Sequence, residues 1–329
     1  MSSLKAQLNS LIPRPVQIVI VVGLVLTAGT SDAVIGPFGP LLWSVNMKLQ
    51  GKADACPWDR ILTIHSDLQL LSELNELAEA GGRVESRDEE WGIELVSLPT
   101  SARKFWIRTS GERMNGEALV AHLVAEHRWI ASQDPASVVK PGDIVIDCGA
   151  HVGILVDQAL QRGASKVVAV DPDPTQLECL RRNFASEIES GKVVLVPKAV
   201  WSGPGKMSLH IGTSNSGTSS LVKDRGGDEI TVDLTTIDDL VAELELPRVD
   251  FVKFDIEGAE QEALKGATET LISHRPRLLI DSYHRDDDMV VLPAIIAQAH
   301  PDYRLHCGPC YTSTELEGEQ VVPSFVVYE

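Results

Sequence analysis

The sequence predicts an α/β fold in which helices cover both faces of a doubly wound, mostly parallel sheet. Short aliphatic runs alternate with helical patterns from Ile144 to the end of the chain, which is the order expected of strand–helix–strand units. These runs are continuously apolar, as in strands that are buried on both faces. Several runs end in an acid, and the carboxyl ends of parallel strands meet at one edge, where a ligand crevice opens.

The chain is long enough for one such domain and an N-terminal extension. It has 329 residues and a net charge of −18, from 29 Lys plus Arg against 47 Asp plus Glu. A surface this acidic repels phosphates, so we expect no nucleic-acid partner. We divide the chain into a tail with a membrane-anchor segment (1–52), an accessory α+β region (53–133) and the ligand-binding domain (134–329).

The N-terminal segment is strongly apolar. Residues 16–28 read VQIVIVVGLVLTA, and Asp32 is the one charged residue between positions 15 and 47. We interpret residues 16–43 as a membrane anchor, with a secretory signal peptide or a buried strand or helix as alternatives. The apolar run is shorter than the ~20 residues that a spanning helix needs. Basic residues flank it on both sides, so they do not determine its orientation.

The accessory region mixes helices and strands. The spaced leucines of DLQLLSELNELAEA predict a helix, WGIELVSL and KFWIRT predict a pair of strands, and GEALVAHLVAEHRWIAS predicts a second helix.

The elements of the ligand-binding domain then follow in order. The predicted strands are IVIDC, KVVAVD, KVVLV, VDFVKFD, RPRLLIDSY, YRLHC and SFVVYE. The predicted helices are GILVDQALQRG, PTQLECLRRNFASE, GAEQEALKGATETLI and VVLPAIIAQAH. Between the third and fourth strands, MSLHIGTSNSGTSSLV and EITVDLTT predict an inserted hairpin with a polar loop.

The five cysteines do not suggest a disulfide framework. Their odd number in a chain of this length is typical of a reducing compartment. Cys307 and Cys310, in HCGPCY, could form a redox dithiol or half of a zinc site. We prefer a Gly-Pro turn with incidental thiols, because no second cysteine pair completes a four-sulfur site.

The first strand of the domain ends in an acid and a glycine turn. Asp147 precedes Gly149 and Gly153, whose missing side chains let a ligand approach the backbone before a helix begins. Asp171 ends the next strand, from which a carboxylate can accept both hydroxyls of a ribose. Asp255 ends a third strand at the same edge. We therefore predict a cofactor that contains a nucleoside.

The spacing of this turn indicates which cofactor binds. A dinucleotide site would have three glycines as G-x-G-x-x-G around a pyrophosphate, whereas this turn reads D-x-G-x-x-x-G. The leading carboxylate of Asp147 repels phosphate but suits an ammonium group. This pattern favours S-adenosylmethionine over NAD.

Several motifs together resemble those of the FkbM family of S-adenosylmethionine-dependent methyltransferases. They are PGDIVIDCGAHVG, VVAVDPDPTQLECLRRN, NSGTSSLV, VDLTTIDDL and VDFVKFDIEGAEQEALKGA, between residues 141 and 328. The resemblance implies the Rossmann-like class I methyltransferase fold for residues 134–329, with a seven-stranded sheet whose last strand is antiparallel. It also implies O-methylation of a hydroxyl on a sugar or natural product.

The resemblance implies further site residues. Lys198 and Ala199 match the stretch that often borders the adenine. His151 stands where the family turn commonly has Asn, so its contact with the cofactor departs from the family pattern. The acidic block of the family, which we assign to the cofactor and the substrate, matches Lys253, Asp255, Glu257 and Glu260.

Methyl transfer to oxygen needs a destination for the hydroxyl proton. Asp255 and His284 are the candidates, although Asp255 could instead cap the next helix and His284 could be a solvated loop residue. Lys253 is either a catalytic group or part of a structural ion pair. Asp255, Glu257 and His284 could also gather a divalent metal, but no spacing demands one, and we predict none.

Together these features predict a membrane-associated O-methyltransferase whose catalytic domain faces the cytoplasm, where the cofactor is supplied. Its acceptor is expected to be a small molecule, glycan or lipid that carries a hydroxyl. Asn215 and Ser216 of the NSGTSS loop are expected to contact this substrate, with an ordinary hairpin connection as the alternative. The alternative functions are a nicotinamide-dependent oxidoreductase and a non-catalytic membrane protein that binds S-adenosylmethionine. The oligomeric state is not determined.

Overall fold

The structure, a computed structural model, describes residues 39–79, 82–109, 114–313, 316 and 320–329. Within these ranges no helix combines the length and the apolar character needed to cross a membrane. Residues 16–38 of the predicted anchor lie outside the described ranges, so the anchor stays a prediction.

The N-terminal part forms two helices, a small sheet and a third helix. These elements are α1 (Gly39–Leu49), α2 (Trp58–Glu79), β1 (Arg83–Asp88), β2 (Ile93–Ser97), β3 (Phe105–Arg108) and α3 (Gly116–Gln133). The predicted pair β2 and β3 is antiparallel, and β1 joins it as a third strand. The sequence did not indicate β1, because its segment RVESRD is largely exposed and lacks an apolar pattern.

The remaining strands belong to the main sheet and to two smaller sheets. They are β4 (Ile144–Cys148), β5 (Lys166–Val170), β6 (Val193–Val196), β7 (Ala199–Val200), β8 (Gly205–Gly212), β9 (Gly226–Thr235), β10 (Phe251–Phe254), β11 (Arg277–Ile280), β12 (Leu305–Cys307), β13 (Cys310–Ser313), β14 (Gln320–Pro323) and β15 (Val326–Tyr328). The helices between them are α4 (Ile154–Gln161), α5 (Pro174–Asn183), α6 (Ala185–Glu189), α7 (Ile237–Glu243), α8 (Glu260–Lys265), α9 (Thr268–Ser273) and α10 (Asp288–Ala299).

The main sheet has seven strands in the order β12-β15-β11-β10-β4-β5-β6. The pairs from β11 to β6 are parallel, whereas β15, the last strand, is antiparallel to both neighbours. The predicted mostly parallel sheet of seven strands with an antiparallel last strand is therefore confirmed.

Apolar side chains fill both faces of the main sheet. Neighbouring residues of β4 point to opposite faces: Val145 lies in one hydrophobic cluster and Ile146 in the other. The first cluster also contains Phe105 of β3 and Val120 of α3. The accessory elements therefore share a core with the α/β domain and form one of its helical layers.

One local difference from the sequence prediction concerns a helix. The predicted single helix is divided into α8 and α9 at Gly266, which caps the end of α8. Gly266 lies so close to a neighbouring segment that a Cβ would be 2.2 Å from Trp201 O. The inserted hairpin is confirmed as β8 and β9, and the short strand β7 pairs with β9 in parallel.

The expectation about cysteines was wrong. Cys56, between α1 and α2, forms a disulfide with Cys310 at the start of β13, 254 residues away in the sequence. Cys307 is a free thiol, so the two cysteines of HCGPCY do not pair with each other. A bridge between such distant segments depends on the tertiary fold, and the spacing of cysteines along the chain could not reveal it. The cysteine count thus gives no support for a reducing compartment.

Candidate active site

A crevice of about 310 Å³ opens at the carboxyl edge of the main sheet. It lies beyond the ends of β4, β5, β10 and β11, as expected for an open α/β sheet. The predicted site residues Asp147, Asp171, Asp255 and His284 all line it, as do Lys198 and Ala199. One crevice thus collects residues from four strand ends that are far apart in the sequence.

The turn after β4 has glycine where the chain leaves no room for a side chain. Gly149 has φ +77°, and a Cβ there would lie 1.9 Å from the backbone oxygen of Asp255. Gly153 has φ +90°, and its Cβ would lie 2.2 Å from the Phe184 ring. Both glycines are therefore needed to bring the turn against the end of β10 and the start of α4 against α5.

Asp171 is buried at the tip of β5 and receives backbone hydrogen bonds. Its Oδ2 accepts from the amide of His151 at 2.8 Å, and its Oδ1 accepts from the amide of Asp173 at 2.9 Å. Burial, followed by the charge of Asp173, raises the pKa of Asp171 to about 7. This carboxylate is positioned before any ligand arrives.

Asp147 is almost fully buried beside Lys253. Among the described residues, neither of its carboxylate oxygens has a hydrogen-bond partner, and Lys253 Nζ lies 3.9 Å from Asp147 Oδ1. Burial raises the pKa of Asp147 to about 6, although Lys253 opposes this shift. A buried carboxylate without hydrogen bonds is costly, so Asp147 is suited to a cationic ligand in the crevice.

Lys253 joins the strand ends of β4 and β10. Its Nζ donates to Asp255 Oδ2 at 3.0 Å, and its side chain is 5% exposed. Burial alone would raise the pKa of Asp255, but Lys253 and then His284 lower it to about 2. Asp255 is thus firmly ionised and is itself one third exposed to the crevice.

His284 lies beyond the end of β11 and is held by a buried carboxylate. Its Nδ1 is 2.8 Å from Glu260 Oε1, and Glu260 in turn accepts the amides of Ile256 and Gly258. Burial would lower the pKa of His284, but Glu260 and then Glu257 raise it to about 10. In this state the imidazole carries its proton at neutral pH and acts as a hydrogen-bond donor.

Glu257 lines the crevice near His284. It adopts φ +54°, which is uncommon for a residue with a side chain, and its carboxylate pairs with Arg225. Its Oε2 lies 3.9 Å from His284 Nε2. Burial raises the pKa of Glu257 to about 7.

The NSGTSS loop lines the crevice beside the turn after β4. Ser216 Oγ is 2.7 Å from His151 Nε2, and its backbone oxygen accepts from Gln176 Nε2 at 2.9 Å. Burial lowers the pKa of His151 to about 3, so its ring is neutral. Asn215 lines the crevice and accepts the amide of Gly217. The structure thus brings His151, Asn215 and Ser216 together.

Lys198 and Ala199 differ in their surroundings. Ala199 is buried at the start of β7. Lys198 Nζ lies 3.1 Å from Glu243 Oε2 at a more exposed position. Both line the crevice, and their predicted contact with adenine stays a prediction.

Some residues of the site were not predicted from the sequence. Arg108 of β3 donates to Asp173 Oδ2 at 2.8 Å and so ties the accessory sheet to the tip beside Asp171. Arg225, which pairs with Glu257, comes from the inserted hairpin. Nothing in the sequence links these arginines to the crevice. Asp281 and Tyr283 could have been found from their position at the end of the predicted strand RPRLLIDSY.

The helix α3 supplies part of the crevice wall. His122, Glu126 and His127 of this helix line the crevice. Their spacing places them on neighbouring positions of one helical side, but no local pattern directs that side to the site. The accessory region therefore contributes to the site, a role that the sequence left open.

Residues 147–305 match the family model described as "Methyltransferase FkbM domain". This part of the chain is an FkbM methyltransferase domain. The match confirms the resemblance carried by the motifs and, with it, S-adenosylmethionine as the cofactor. The FkbM match covers every strand end that borders the crevice.

Several known proteins are similar to parts of this chain. A ribosomal protein L11 methyltransferase from Myxococcus xanthus is 28% identical over 116 residues, which are 31% of this chain and 40% of that protein. The hexuronic acid methyltransferase AglP from Haloferax volcanii is 28% identical over 131 residues, 40% of this chain and 52% of that protein. The chain thus spans about half or less of these curated relatives. A crystal structure of a methyltransferase FkbM from Methylobacillus flagellatus aligns with a TM-score of 0.43 and 15% identity, covering 86% of this chain and 65% of that one.

The residues of the FkbM domain fit S-adenosylmethionine. Asp147 offers two unsatisfied buried oxygens to an ammonium group, and Asp171 offers a fixed carboxylate to a ribose. Gly149 of the turn also lines the crevice. This donor set suits a positive charge and a sugar, and the individual contacts with the cofactor stay predictions.

Proposed function

We propose that this protein transfers a methyl group from S-adenosylmethionine to a hydroxyl of a glycan, glycolipid or secondary metabolite. The observation that carries the proposal is the pair of buried carboxylates, Asp147 and Asp171, on the tips of neighbouring strands beside a turn where only glycine fits. The FkbM match of residues 147–305 supports the same class of reaction.

The cofactor half of the crevice would bind through charge and hydrogen bonds. S-adenosylmethionine supplies an electrophilic methyl group on a positively charged sulfur. Asp147 would accept the ammonium group of its amino-acid part, and Asp171 would accept the ribose hydroxyls. Ser216 and His151 would cover this half, because the NSGTSS loop already rests against the glycine turn.

The acceptor half would bring a hydroxyl into line with the methyl group. The hydroxyl oxygen forms a bond to carbon as the bond from carbon to sulfur breaks, and the electron pair of that bond stays on sulfur. The hydroxyl proton would pass to the ionised Asp255 and from there to water, because His284 already carries its proton. Alignment alone can supply an effective molarity of ~10⁵ M or more. Asp255 is ionised and faces the crevice, so it would accept the hydrogen bond of the hydroxyl and orient it.

The polar lining of the acceptor half favours a substrate rich in hydroxyls. Glu126, Glu257 and His122 offer hydrogen-bonding groups around this part of the crevice. Similarity to a hexuronic acid methyltransferase over 131 residues agrees with a sugar acceptor. If residues 16–43 form the predicted anchor, with the catalytic domain on the cytoplasmic side, an acceptor attached to a membrane would lie within reach.

The proposal is tested by methyl transfer to extracts that contain candidate acceptors. The full chain is incubated with S-adenosylmethionine that carries a trideuterated methyl group, together with lipid and polysaccharide fractions, and products are analysed by mass spectrometry. We expect a labelled methyl ether with the wild type and none with Asp255→Ala, which should still bind S-adenosylhomocysteine. Labelled products at the same level with Asp255→Ala would contradict the role of Asp255.

The alternative functions give different results in binding experiments. A nicotinamide-dependent oxidoreductase should release heat on titration with NAD and not with S-adenosylhomocysteine. A protein that binds the cofactor without turnover should bind S-adenosylhomocysteine and produce no labelled product from any fraction. The acid at the first turn and the FkbM match favour the methyltransferase over both.

A further inference from the structure

We propose that Asp255, Glu257 and His284 bind a divalent cation of the Mn²⁺ or Mg²⁺ type at the acceptor end of the crevice. One ligand atom from each of these side chains lies within 4.8 Å of the other two. Ligands of such a cation are about 2.1 Å from it, so opposite ligands are about 4.2 Å apart. The observed separations are thus close to those of a bound cation.

The histidine is already oriented as a metal ligand. A histidine that binds a metal through one ring nitrogen usually donates from the other to a carboxylate. His284 Nδ1 is 2.8 Å from Glu260 Oε1, which leaves Nε2 directed toward Glu257 Oε2 at 3.9 Å, beyond hydrogen-bond distance. The side chain of His284 is 1% exposed, and its Nε2 lies on the side of Glu257.

Glu260, the carboxylate that orients His284, is itself held by hydrogen bonds. Glu260 is fully buried, and its two oxygens accept the amides of Ile256 at 2.9 Å and Gly258 at 3.0 Å. These amides belong to the segment that carries Glu257, whose backbone is held at φ +54°. One buried residue therefore sets the positions of two of the proposed ligands.

The basic residues beside the two carboxylates leave one oxygen of each carboxylate available to a cation. Lys253 pairs with Oδ2 of Asp255, and Arg225 pairs with Oε2 of Glu257. Since a carboxylate has two oxygens, Oδ1 of Asp255 and Oε1 of Glu257 remain for a cation. The carboxylates that would hold a proton on His284 also attract a metal ion there, and metal binding would release that proton.

The charge around the cluster also favours a cation. Besides Asp255 and Glu257, the carboxylates of Asp147, Glu260 and Asp281 lie close enough to act on Lys253 or His284. Against these acids the described part of the chain places Lys253 and Arg225. Carboxylates therefore outnumber basic groups, and a divalent ion would reduce the repulsion between them.

The ligand types indicate the class of metal. Two carboxylates and one imidazole without a thiolate suit Mn²⁺ or Mg²⁺ with water in the remaining positions. Those positions would open toward the crevice, where hydroxyl groups of an acceptor could replace the water. The binding of the cation is independent of the proposed function, whereas its role in holding the acceptor rests on it.

The test is a titration of the metal-free full chain with Mn²⁺ at neutral pH, followed by electron paramagnetic resonance of the free ion and by calorimetry. We expect one Mn²⁺ per chain, competed by Mg²⁺. Asp255→Asn and His284→Gln should weaken binding at least tenfold, and Glu260→Gln should weaken it by about 10- to 100-fold, as is usual for residues that orient a ligand. Thermal unfolding of each variant verifies folding, and Asp255→Asn, on a partly exposed side chain, is the variant least expected to disturb it.

A matched control is available on the edge strand β12. His306 also contacts two carboxylates, with Nδ1 2.8 Å from Asp134 Oδ2 and Nε2 3.6 Å from Glu329 Oε1. His306→Gln should leave Mn²⁺ affinity within about twofold of the wild type. The proposal is overturned if the folded wild type binds no stoichiometric Mn²⁺, or if Asp255→Asn and His306→Gln alter binding equally. Failure to bind S-adenosylhomocysteine would instead count against the proposed function.

Discussion

Asp171 shows how a single carboxylate is prepared for a ligand. It sits at a strand tip, receives two backbone amides and is shielded from water. Burial without a basic partner raises its pKa to about 7. A neutral acid cannot accept the hydrogen bonds of a ribose through both oxygens, so binding of the cofactor should be coupled to ionisation of this residue.

We predict that the affinity for S-adenosylhomocysteine falls as pH decreases from 8 to 6. Below about pH 7 Asp171 must lose a proton before it accepts the ribose, which costs up to tenfold in affinity per pH unit. Asp171→Asn should lower affinity at pH 8 by about 1.5 to 3 kcal/mol, the usual contribution of a charged hydrogen bond. Calorimetric titrations at several pH values measure both effects.

The affinity of Asp171→Asn for S-adenosylhomocysteine should also depend less on pH between 8 and 6 than that of the wild type. An equally steep fall in the affinity of Asp171→Asn would assign the titration to another group, such as Asp147.

The stability of the protein without ligand should depend on pH in the opposite direction. Because the folded pKa of Asp171 is above its ordinary value of 3.8, protonated Asp171 stabilises the fold, and this contribution is lost as pH rises through about 7.

At the scale of elements, the site depends on the close approach of the β4 turn to the end of β10. Gly149 allows this approach because it has positive φ and no Cβ. The amides of Gly149 and Ala150 both donate to Val170 O at the end of β5. This one turn therefore holds three strand ends together.

We predict that Gly149→Ala destabilises the protein by more than about 2 kcal/mol, because the new Cβ would collide with a backbone oxygen and the backbone would be strained. Binding of S-adenosylhomocysteine should be lost at the same time. Thermal unfolding and calorimetry measure the two effects. Gly203→Ala is the matched control, since a Cβ there meets nothing within 4 Å. Equal stability of both variants would show that the turn can relax.

Ion pairs from β3 and the residues just before it connect the accessory sheet to the helices beside the site. Arg108 of β3 pairs with Asp173, which caps α5 by accepting the amide of Thr175 at 2.8 Å. Arg103, just before β3, pairs with Asp157 of α4 at 2.7 Å. Two ion pairs thus fix the small sheet against the helices that follow β4 and β5.

At the scale of the whole molecule, the disulfide connects the beginning of the described chain to its end. Cys56 and Cys310 enclose nearly the whole α/β domain between them. They lie in a separate hydrophobic cluster with Val45, Ile61 and Val321. The bridge therefore fastens α1 and α2 to the strand pair β13 and β14.

We predict that Cys56→Ser lowers the free energy of unfolding by about 2 to 5 kcal/mol, because the bridge restricts a long loop of the unfolded chain. A reducing agent should have a similar effect on the wild type, measured by chemical denaturation. Cys307→Ser is the control, since this thiol is free. A loss of stability with Cys307→Ser as large as that with Cys56→Ser would contradict the assigned pairing.

The sequence by itself determined the sheet, the nature of the cofactor and the strand-end acids. Continuous aliphatic runs, glycines and acids are local features, and the order of a parallel sheet brings strand ends such as Asp147, Asp171 and Asp255 to one edge. The motifs around these acids are specific enough to identify the FkbM domain from the order of residues alone.

The tertiary structure alone decided which distant groups complete the site. Arg108, Arg225 and the side of α3 with Glu126 come from elements whose contacts depend on packing between layers, and no local pattern encodes that packing. The same holds for the disulfide between Cys56 and Cys310. The pKa values of the buried acids likewise follow from burial and neighbouring charge, which exist only once the chain has folded.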